Sequence, residues 1–250
     1  EKLRGEDLTE IRKKAIENLN QFNLSTTLVI TLQNGENDDE IGKILEYAVK
    51  QKCVRGVTFQ PTQVAGRNDN YDDETGRITL TEVRRKIYEQ YPIFTPQDLI
   101  PVPCNPDALC MAYALKIDGE VIPMTHLLNP EDLLNTTKNT IVYENDEELK
   151  NHLITMFSTG ISVDCAEDTF GELMCCLPRV QSNNLHYENL FRIIIMNFMD
   201  ASDFDVRAVK KSCVHIVDKR YKLVPFETMN LFYRDDKSVQ LEKLRNEIKF

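Results

Sequence analysis

The sequence TTLVITLQNGENDDEIGKIL (residues 26–45), followed by VRGVTFQ (residues 54–60), decides the fold class. The run from Thr26 to Leu32 is β-branched and lacks polar alternation, which is typical of a strand buried on both faces of a parallel sheet. Asn37, with Glu40 three residues later, has the spacing of a helix-capping box. A strand, a helix and a second strand in so short a stretch predict α/β winding around a parallel sheet.

A helix is also predicted before this stretch. Residues 6–22 place apolar side chains at spacings of three and four, which is the pattern of an amphipathic helix. The chain begins at Glu1, and this helical pattern starts only a few residues later. We therefore expect a preceding segment of the same protein to lie N-terminal to it.

The remainder of the chain has a different character. Residues 62–77 are polar and predict an exposed loop, after which Thr79 and Glu82 form a second capping box. After this capping box, the sequence predicts a hairpin with its turn at Asp118-Gly119, a strand at FRIIIMNFM and a final hairpin. It also predicts helices at about 146–158 and near 203–212. The fold prediction is α/β up to residue 77 and α+β over residues 78–250.

The composition excludes several classes of partner. The chain has 250 residues and a formal net charge of −10, which disfavours binding to nucleic acid or to an anionic membrane surface. The sequence contains neither an apolar run long enough to span a bilayer nor a signal peptide. Seven cysteines without an extracellular framework pattern indicate a reducing compartment, so the expected location is the cytoplasm.

The cysteines are the first candidates for chemistry. In LIPVPCNPDALCMAY (residues 99–113), prolines flank Cys104, and a rigid loop would hold a metal ligand at low entropic cost. Thiolates are the ligands of iron–sulfur clusters. The C-x5-C spacing is not diagnostic, however, and buried cysteines often act as small apolar core residues. Both interpretations stay open for Cys104, Cys110, Cys175, Cys176 and Cys213.

Two further groups of polar residues are candidates for ligand binding. His215 follows Cys213 by two residues, so the two side chains share a face of a strand and could hold zinc, although an ordinary strand histidine is the simpler interpretation. Gln33 and Gln60 each follow or end a predicted parallel strand, at the edge where α/β proteins bind ligands, although an ordinary surface glutamine is the simpler interpretation of Gln60.

Several strings of the sequence resemble the radical S-adenosylmethionine (SAM) family. The similarity is to the branch that contains the tetraether lipid synthase and the pterin-methylating enzymes. Besides the two opening strings, it is carried by RITLTEVRRKI, DLIPVPCNPDALCMAYAL, FRIIIMNFMDASDFDVRAVKKSCVHIV and KLVPFETMNLFYRD, and so covers nearly the whole chain.

The resemblance implies a fold, an activity and cofactors. Residues 1–77 would be the C-terminal part of a radical SAM barrel of TIM type, and residues 78–250 an auxiliary-cluster and substrate-capping region. Enzymes of this kind cleave SAM reductively at a [4Fe–4S] cluster to a 5′-deoxyadenosyl radical that acts on an unactivated carbon. Gln33, Asn37 and Gln60 would face SAM. The ligands of an auxiliary [4Fe–4S] cluster would be Cys104, Cys110, Cys213 and, less strongly, Cys176 or Cys175, although the family pattern places the second loop cysteine nearer Ala108.

The sequence departs from the family in one decisive respect. None of its cysteine intervals forms the C-x3-C-x2-C motif that binds the catalytic cluster. The chain is therefore expected to be a fragment that is inactive alone and whose partner is the missing N-terminal barrel portion, with its cluster-binding cysteines. The substrate would be a small molecule or a lipid, and the catalytic residues are unknown. The alternative is a non-catalytic α/β module for binding or assembly, without a cluster.

Overall fold

The computed structural model describes residues 6–63, 72–102, 105–117, 120–126, 189–210, 212, 214–219, 221–233, 239 and 243. Its helices are α1 (Thr9–Gln21), α2 (Ile41–Lys50), α3 (Asp73–Gly76), α4 (Leu80–Gln90), α5 (Val206–Val209) and α6 (Phe226–Thr228). A 3-10 turn (Met124–His126) and a π-helical turn (Met229–Tyr233) complete the helical elements.

Six strands form the main sheet. They are β1 (Thr26–Leu32), β2 (Val54–Pro61), β3 (Ile100–Pro101), β4 (Leu109–Ile117), β5 (Glu120–Pro123) and β6 (Leu190–Met196). The order is β1-β2-β6-β4-β3, with β5 paired to β4. β1, β2 and β6 run parallel, and β4 is antiparallel to β6. A second sheet pairs β7 (His215–Val217) with β8 (Leu223–Pro225).

The mixed α/β class with parallel strands is as predicted, whereas a closed barrel is not formed by the described strands. β1 is an edge strand that pairs only with β2 in the described part of the chain. β4 and β6, which come from the predicted C-terminal region, continue the same sheet as β1 and β2. The division into two domains after residue 77 stays a prediction.

The two faces of the main sheet differ in chemistry. Register and strand alternation place apolar side chains on the face that packs against the helices, called here the helix face. They are Leu28, Ile30, Leu32, Val57, Phe59, Phe191, Ile193, Ile195, Cys110, Ala112 and Ala114. The opposite face, called here the second face, carries polar side chains as well. Its members include Thr31, Thr58, Gln60, Arg192, Ile194, Met111 and Tyr113.

Most of the predicted elements are confirmed. β1, β2, the β4–β5 hairpin and the strand at residues 190–196 all form where the sequence patterns placed them. The Thr79 capping box is present: the Glu82 backbone N–H donates to Thr79 Oγ1 at 3.2 Å, and the Thr79 N–H donates to Glu82 Oε2 at 2.8 Å. The helix predicted at about 146–158 lies outside the described residues.

Three predictions of local structure are wrong. β1 is not buried on both faces, because it lies at the sheet edge and leaves Val29 54% exposed. Asn37 and Glu40 form no capping box, since the Asn37 side chain bonds backward into its own loop and Glu40, the N-cap of α2, makes no side-chain capping bond. The second strand of the final hairpin was predicted over KLVPFETMNLFY, but it ends at Pro225, after which the chain turns helical.

The packing of α2 against α4 depends on a glycine. A Cβ atom at Gly42 would stand 2.5 Å from the backbone oxygen of Gln90. The Gln90 side chain joins the two helices as well: its Oε1 accepts from the Gly42 N–H at 3.1 Å, and its Nε2 donates to the Asp38 carbonyl at 2.8 Å. α4 thus fixes the loop that leads from β1 into α2.

The helices within the described ranges are too short or too polar to cross a lipid bilayer.

Candidate functional site

The carboxyl ends of β1, β2 and β6 lie together at one edge of the main sheet, because these three strands are parallel neighbours. Ligands of open α/β sheets bind at this edge. The segments that form it are residues 33–40 after β1, residues 62–63 after β2 and residues 197–205 after β6. Hydrogen bonds connect all three segments, as follows.

The loop after β1 is organised by its own side chains. Asn37 Oδ1 accepts from the Gln33 backbone N–H at 3.0 Å, and Asn37 Nδ2 donates to the Thr31 carbonyl at 2.9 Å. Gly35 has a φ of +73°, in the left-handed region that glycine adopts without cost, and its N–H donates to Asp38 Oδ1 at 2.7 Å. Asn37 therefore fixes the direction in which the chain leaves β1.

Asp38 anchors this loop to α4. Its carboxylate is buried and lies 2.7 Å from Lys86 Nζ. Burial acts to raise the pKa of Asp38, but the hydrogen bonds from Lys86 and from the Gly35 N–H outweigh it and hold the pKa below its usual value. Asp38 is thus ionised at neutral pH and serves as a structural anchor.

The ends of the three strands are also tied to one another. Thr62, just after β2, donates from its N–H and its Oγ1 to the Leu32 carbonyl, at 2.7 and 2.9 Å. Gln63 Nε2 donates to Asn197 Oδ1 at 3.0 Å, which links the segment after β2 to the segment after β6. These bonds hold the edge of the sheet in one arrangement.

A buried ion pair braces the segment after β6. Arg77 Nη2 donates to both carboxylate oxygens of Asp200, each at 2.7 Å. The Asp200 side chain is 0% exposed and also accepts from the Ser202 N–H at 2.9 Å. Arg77 follows α3, whose Thr75 and Gly76 carbonyls accept hydrogen bonds from Asn34 in the loop after β1, both at 3.0 Å. The pair therefore connects the loops after β1 and β6.

A second carboxylate lies beside this pair. Asp203 Oδ1 accepts from the Asp200 N–H at 2.7 Å, and Asp203 Oδ2 lies 3.7 Å from Arg77 Nη1. Burial raises the pKa of Asp203, and the neighbouring Asp200 charge adds to that effect. Two carboxylates thus share one guanidinium at the strand ends.

The residues predicted to contact SAM, Gln33, Asn37 and Gln60, all lie at this edge of the sheet, but their side chains have different hydrogen-bond partners. Gln60 is on the second face of the sheet, opposite Thr31 in the register, and Gln33 directly follows the end of β1. Both are partly exposed, and neither side-chain amide bonds to another described residue. Both amide atoms of Asn37 are committed to the loop, so Asn37 positions Gln33. Contact of these residues with SAM stays a prediction.

Cys110 is the predicted metal ligand that the structure describes. It lies on β4, fully buried among apolar side chains of the helix face, opposite Ile195. Burial raises the pKa of its thiol to about 11. This environment suits an apolar core residue. Cys104, Cys175, Cys176 and Cys213 lie outside the described residues.

The zinc alternative gains no support in the described part of the chain. His215 is exposed on β7, while its predicted companion Cys213 is not described. Within the described ranges, His, Cys, Asp and Glu side chains do not gather in any group of three or more that could hold a metal ion.

Sequence reasoning missed the residues that brace the site. Arg77, Asp200 and Asp203 were not singled out, although Asp200 and Asp203 belong to the FMDASDFD string that carries much of the resemblance. Arg192, on the second face at mid-strand in β6, was missed too. Arg77 and Asp200 are 123 residues apart, so only the parallel pairing of β6 with β2 could have revealed their contact.

One curated protein gives a function for comparison. The chain is 28% identical, over 271 aligned positions, to the 7,8-dihydro-6-hydroxymethylpterin dimethyltransferase of Methanocaldococcus jannaschii. The chain is similar to a pterin methyltransferase. This agrees with the pterin-methylating branch expected from the sequence. No protein-family model matches the chain.

The alignment covers different fractions of the two proteins. It covers 93% of this chain but 53% of the methyltransferase, so the chain spans about half the length of that relative. The aligned region therefore includes nearly all of the sheet and its edge, and the relative's remaining length has no counterpart in these 250 residues.

Proposed function

We propose that this chain is the C-terminal part of a SAM-dependent methyltransferase of the radical SAM type, acting on a small pterin-like molecule. The observation that carries the proposal is the similarity over 93% of the chain to a pterin dimethyltransferase. The parallel strand ends, with two glutamine amides that bond to no other described residue, supply a place for the cofactor. Whole-protein activity would need the part of the protein that the chain does not include.

The described residues fit the polar groups of SAM. Its amino acid portion, ribose and adenine all offer hydrogen-bonding atoms, which the amides of Gln33 and Gln60 can match as donor and as acceptor. In this proposal Gln60 binds from the second face, Gln33 binds from the loop, and Asn37 keeps Gln33 in place. The chemistry that bound SAM supplies is methyl donation and, as the resemblance implies, radical formation. The Arg77–Asp200 pair holds the segment after β6 in place.

The described residues do not fit an iron–sulfur cluster. Cys110 is buried, and its neighbours on the helix face are apolar. No step is therefore assigned to a cluster here. An auxiliary cluster remains part of the proposal only through Cys104, Cys213 and Cys176 or Cys175.

The first prediction concerns SAM affinity. Gln60→Leu is expected to weaken SAM binding to this chain about fivefold to tenfold, since a lost hydrogen bond that leaves a polar ligand atom unpaired costs about 1 kcal/mol or more. Equilibrium dialysis with radiolabelled SAM measures the effect. Gln97→Leu, at an exposed position away from the strand ends, is the matched control and should bind as the wild type does. Equal affinities for the two variants would contradict the proposed site.

The second prediction distinguishes a chain that binds an auxiliary iron–sulfur cluster from a non-catalytic module without one. After anaerobic reconstitution with iron and sulfide, Cys104→Ala should lower the iron content of the chain, while Cys110→Ala should leave it unchanged because Cys110 is a core residue. Loss of iron in Cys110→Ala, with retained folding, would contradict the placement given to Cys110. Failure of the wild-type chain to bind iron would favour the non-catalytic module.

A further inference from the structure

Two cationic side chains lie at the amino ends of the parallel strands, at the opposite edge of the sheet from the candidate site. Arg55 is the second residue of β2 and is 6% exposed. Lys116 lies near the end of β4, which runs antiparallel to β6, and is partly buried. Strand alternation places both on the helix face, on the same sides of their strands as Val57 and Ala114. They are called here the Arg55–Lys116 pair.

Neutral oxygen atoms hold both cations in place. Lys116 Nζ donates to the carbonyls of Gln51 and Val54, at 2.6 and 3.2 Å. Arg55 Nη2 donates to Asn23 Oδ1 at 3.0 Å, and its Nη1 donates to a backbone carbonyl in the loop before β2. Because Val54 directly precedes Arg55, the bond from Lys116 to Val54 makes the two cations neighbours.

The Arg55–Lys116 pair has no counter-charge in the described part of the chain. The groups that accept hydrogen bonds from the two cations there are carbonyls and one amide, and none is a carboxylate. Burial, together with the positive charge of Arg55, lowers the pKa of Lys116 to about 8. The Arg55 Nε atom is buried and bonds to no described acceptor. Since buried charges in proteins are normally paired with an opposite charge, this pair is incomplete.

The missing partner has the properties of a small oxyanion. A guanidinium and an ammonium group donate hydrogen bonds in several directions, and the oxygen atoms of a phosphate or sulfate ion accept them. Such an ion carries up to two negative charges near neutral pH, which balances two cations. Since Arg55 is buried and Lys116 partly buried, the position suits an ion better than nucleic acid or a membrane surface.

We propose that the Arg55–Lys116 pair binds a small oxyanion of the phosphate type at the amino edge of the sheet. The anion enters beside Lys116, the more exposed of the two cations, and accepts hydrogen bonds from Lys116 Nζ and from the Arg55 guanidinium. Asn23 lies between α1 and β1, and Gln51 between α2 and β2, so the bound anion stabilises both loops. The site is separate from the strand ends that carry the proposed function.

Equilibrium dialysis with radiolabelled inorganic phosphate tests the site, with sodium chloride holding the ionic strength constant. The wild-type chain should bind one phosphate per chain saturably. Lys116→Met should weaken this binding at least about tenfold, because it removes a hydrogen bond from a charged donor. A second measurement needs no variant: saturating phosphate should slow the acetylation of Lys116 by acetic anhydride at least about threefold, as followed by mass spectrometry.

Lys50→Met is the matched control, since it removes one positive charge from an exposed position at the end of α2. It should bind phosphate as the wild type does, and phosphate should not change the acetylation of Lys50 in the wild type. Phosphate binding that does not saturate, equal affinities of the two variants, or acetylation of Lys116 that phosphate does not slow would each overturn the proposal.

Discussion

Asp200→Ala is expected to lower the free energy of unfolding by about 3 kcal/mol, because removing one member of a buried ion pair leaves the other charge uncompensated. Asp200 is 0% exposed and Arg77 is 27% exposed, so water replaces the lost carboxylate only in part. Asp203 lies 3.7 Å from Arg77 and offers some compensation, which keeps the expected loss at the lower end of the range for buried pairs. Urea unfolding followed by circular dichroism measures the loss.

Two other variants test whether the loss of stability comes from the buried ion pair. Glu89→Ala removes a carboxylate whose pairing with Arg85 is half-exposed, and it should change the free energy of unfolding by less than about 1 kcal/mol. The double variant Arg77→Met/Asp200→Leu removes both charges and should recover much of the stability lost in Asp200→Ala. If Asp200→Ala and Glu89→Ala cost the same, the buried pair does not brace the segment after β6.

Gly56→Ala is expected to destabilise the chain by about 1–3 kcal/mol, as overpacking of a close-packed interior does. Gly56 lies on the interior strand β2, opposite Arg192 on β6. A Cβ atom there would stand 2.6 Å from the Arg192 backbone oxygen and 3.3 Å from the Arg192 Cβ. Since the obstacle is backbone, β2 and β6 would have to separate, which would also move the strand ends apart.

Two quantities are measured for Gly56→Ala: the free energy of unfolding in urea and the affinity for SAM. Both should be lower than in the wild type. Gly35→Asn is the control: a Cβ atom at Gly35 meets no atom within 4 Å, and asparagine tolerates its positive φ. That variant should lose less than about 1 kcal/mol. A Gly56→Ala variant as stable as the wild type would show that β2 and β6 do not approach as closely as described.

Local patterns predicted most, but not all, of the elements of this fold. The β-branched runs of β1 and β6 and the Thr79–Glu82 capping box depend on neighbouring residues, and each formed as predicted. The error about the burial of β1 has a physical origin. A β-branched run reports strand propensity, whereas burial depends on whether a neighbouring strand is present, and the described chain provides one on a single side of β1.

The candidate site was predictable only in part. Gln33 and Gln60 followed from the rule that ligands bind at the carboxyl ends of parallel strands. The contacts of Arg77 with Asp200 and of Gln63 with Asn197 span 123 and 134 residues, so no local pattern contains them. Asn37 was placed at the right edge but in the wrong role, because its amide can bond equally well to a helix end or to its own loop.

The central claim is that SAM binds at the strand ends, at Gln33 and Gln60. It is tested most directly by a nuclear magnetic resonance titration of the isotopically labelled chain with SAM. The account predicts saturable shifts of the Gln33 and Gln60 side-chain amide signals, with no shift of the exposed Gln97 signal. Shifts that appear at other residues and spare both Gln33 and Gln60 would contradict it.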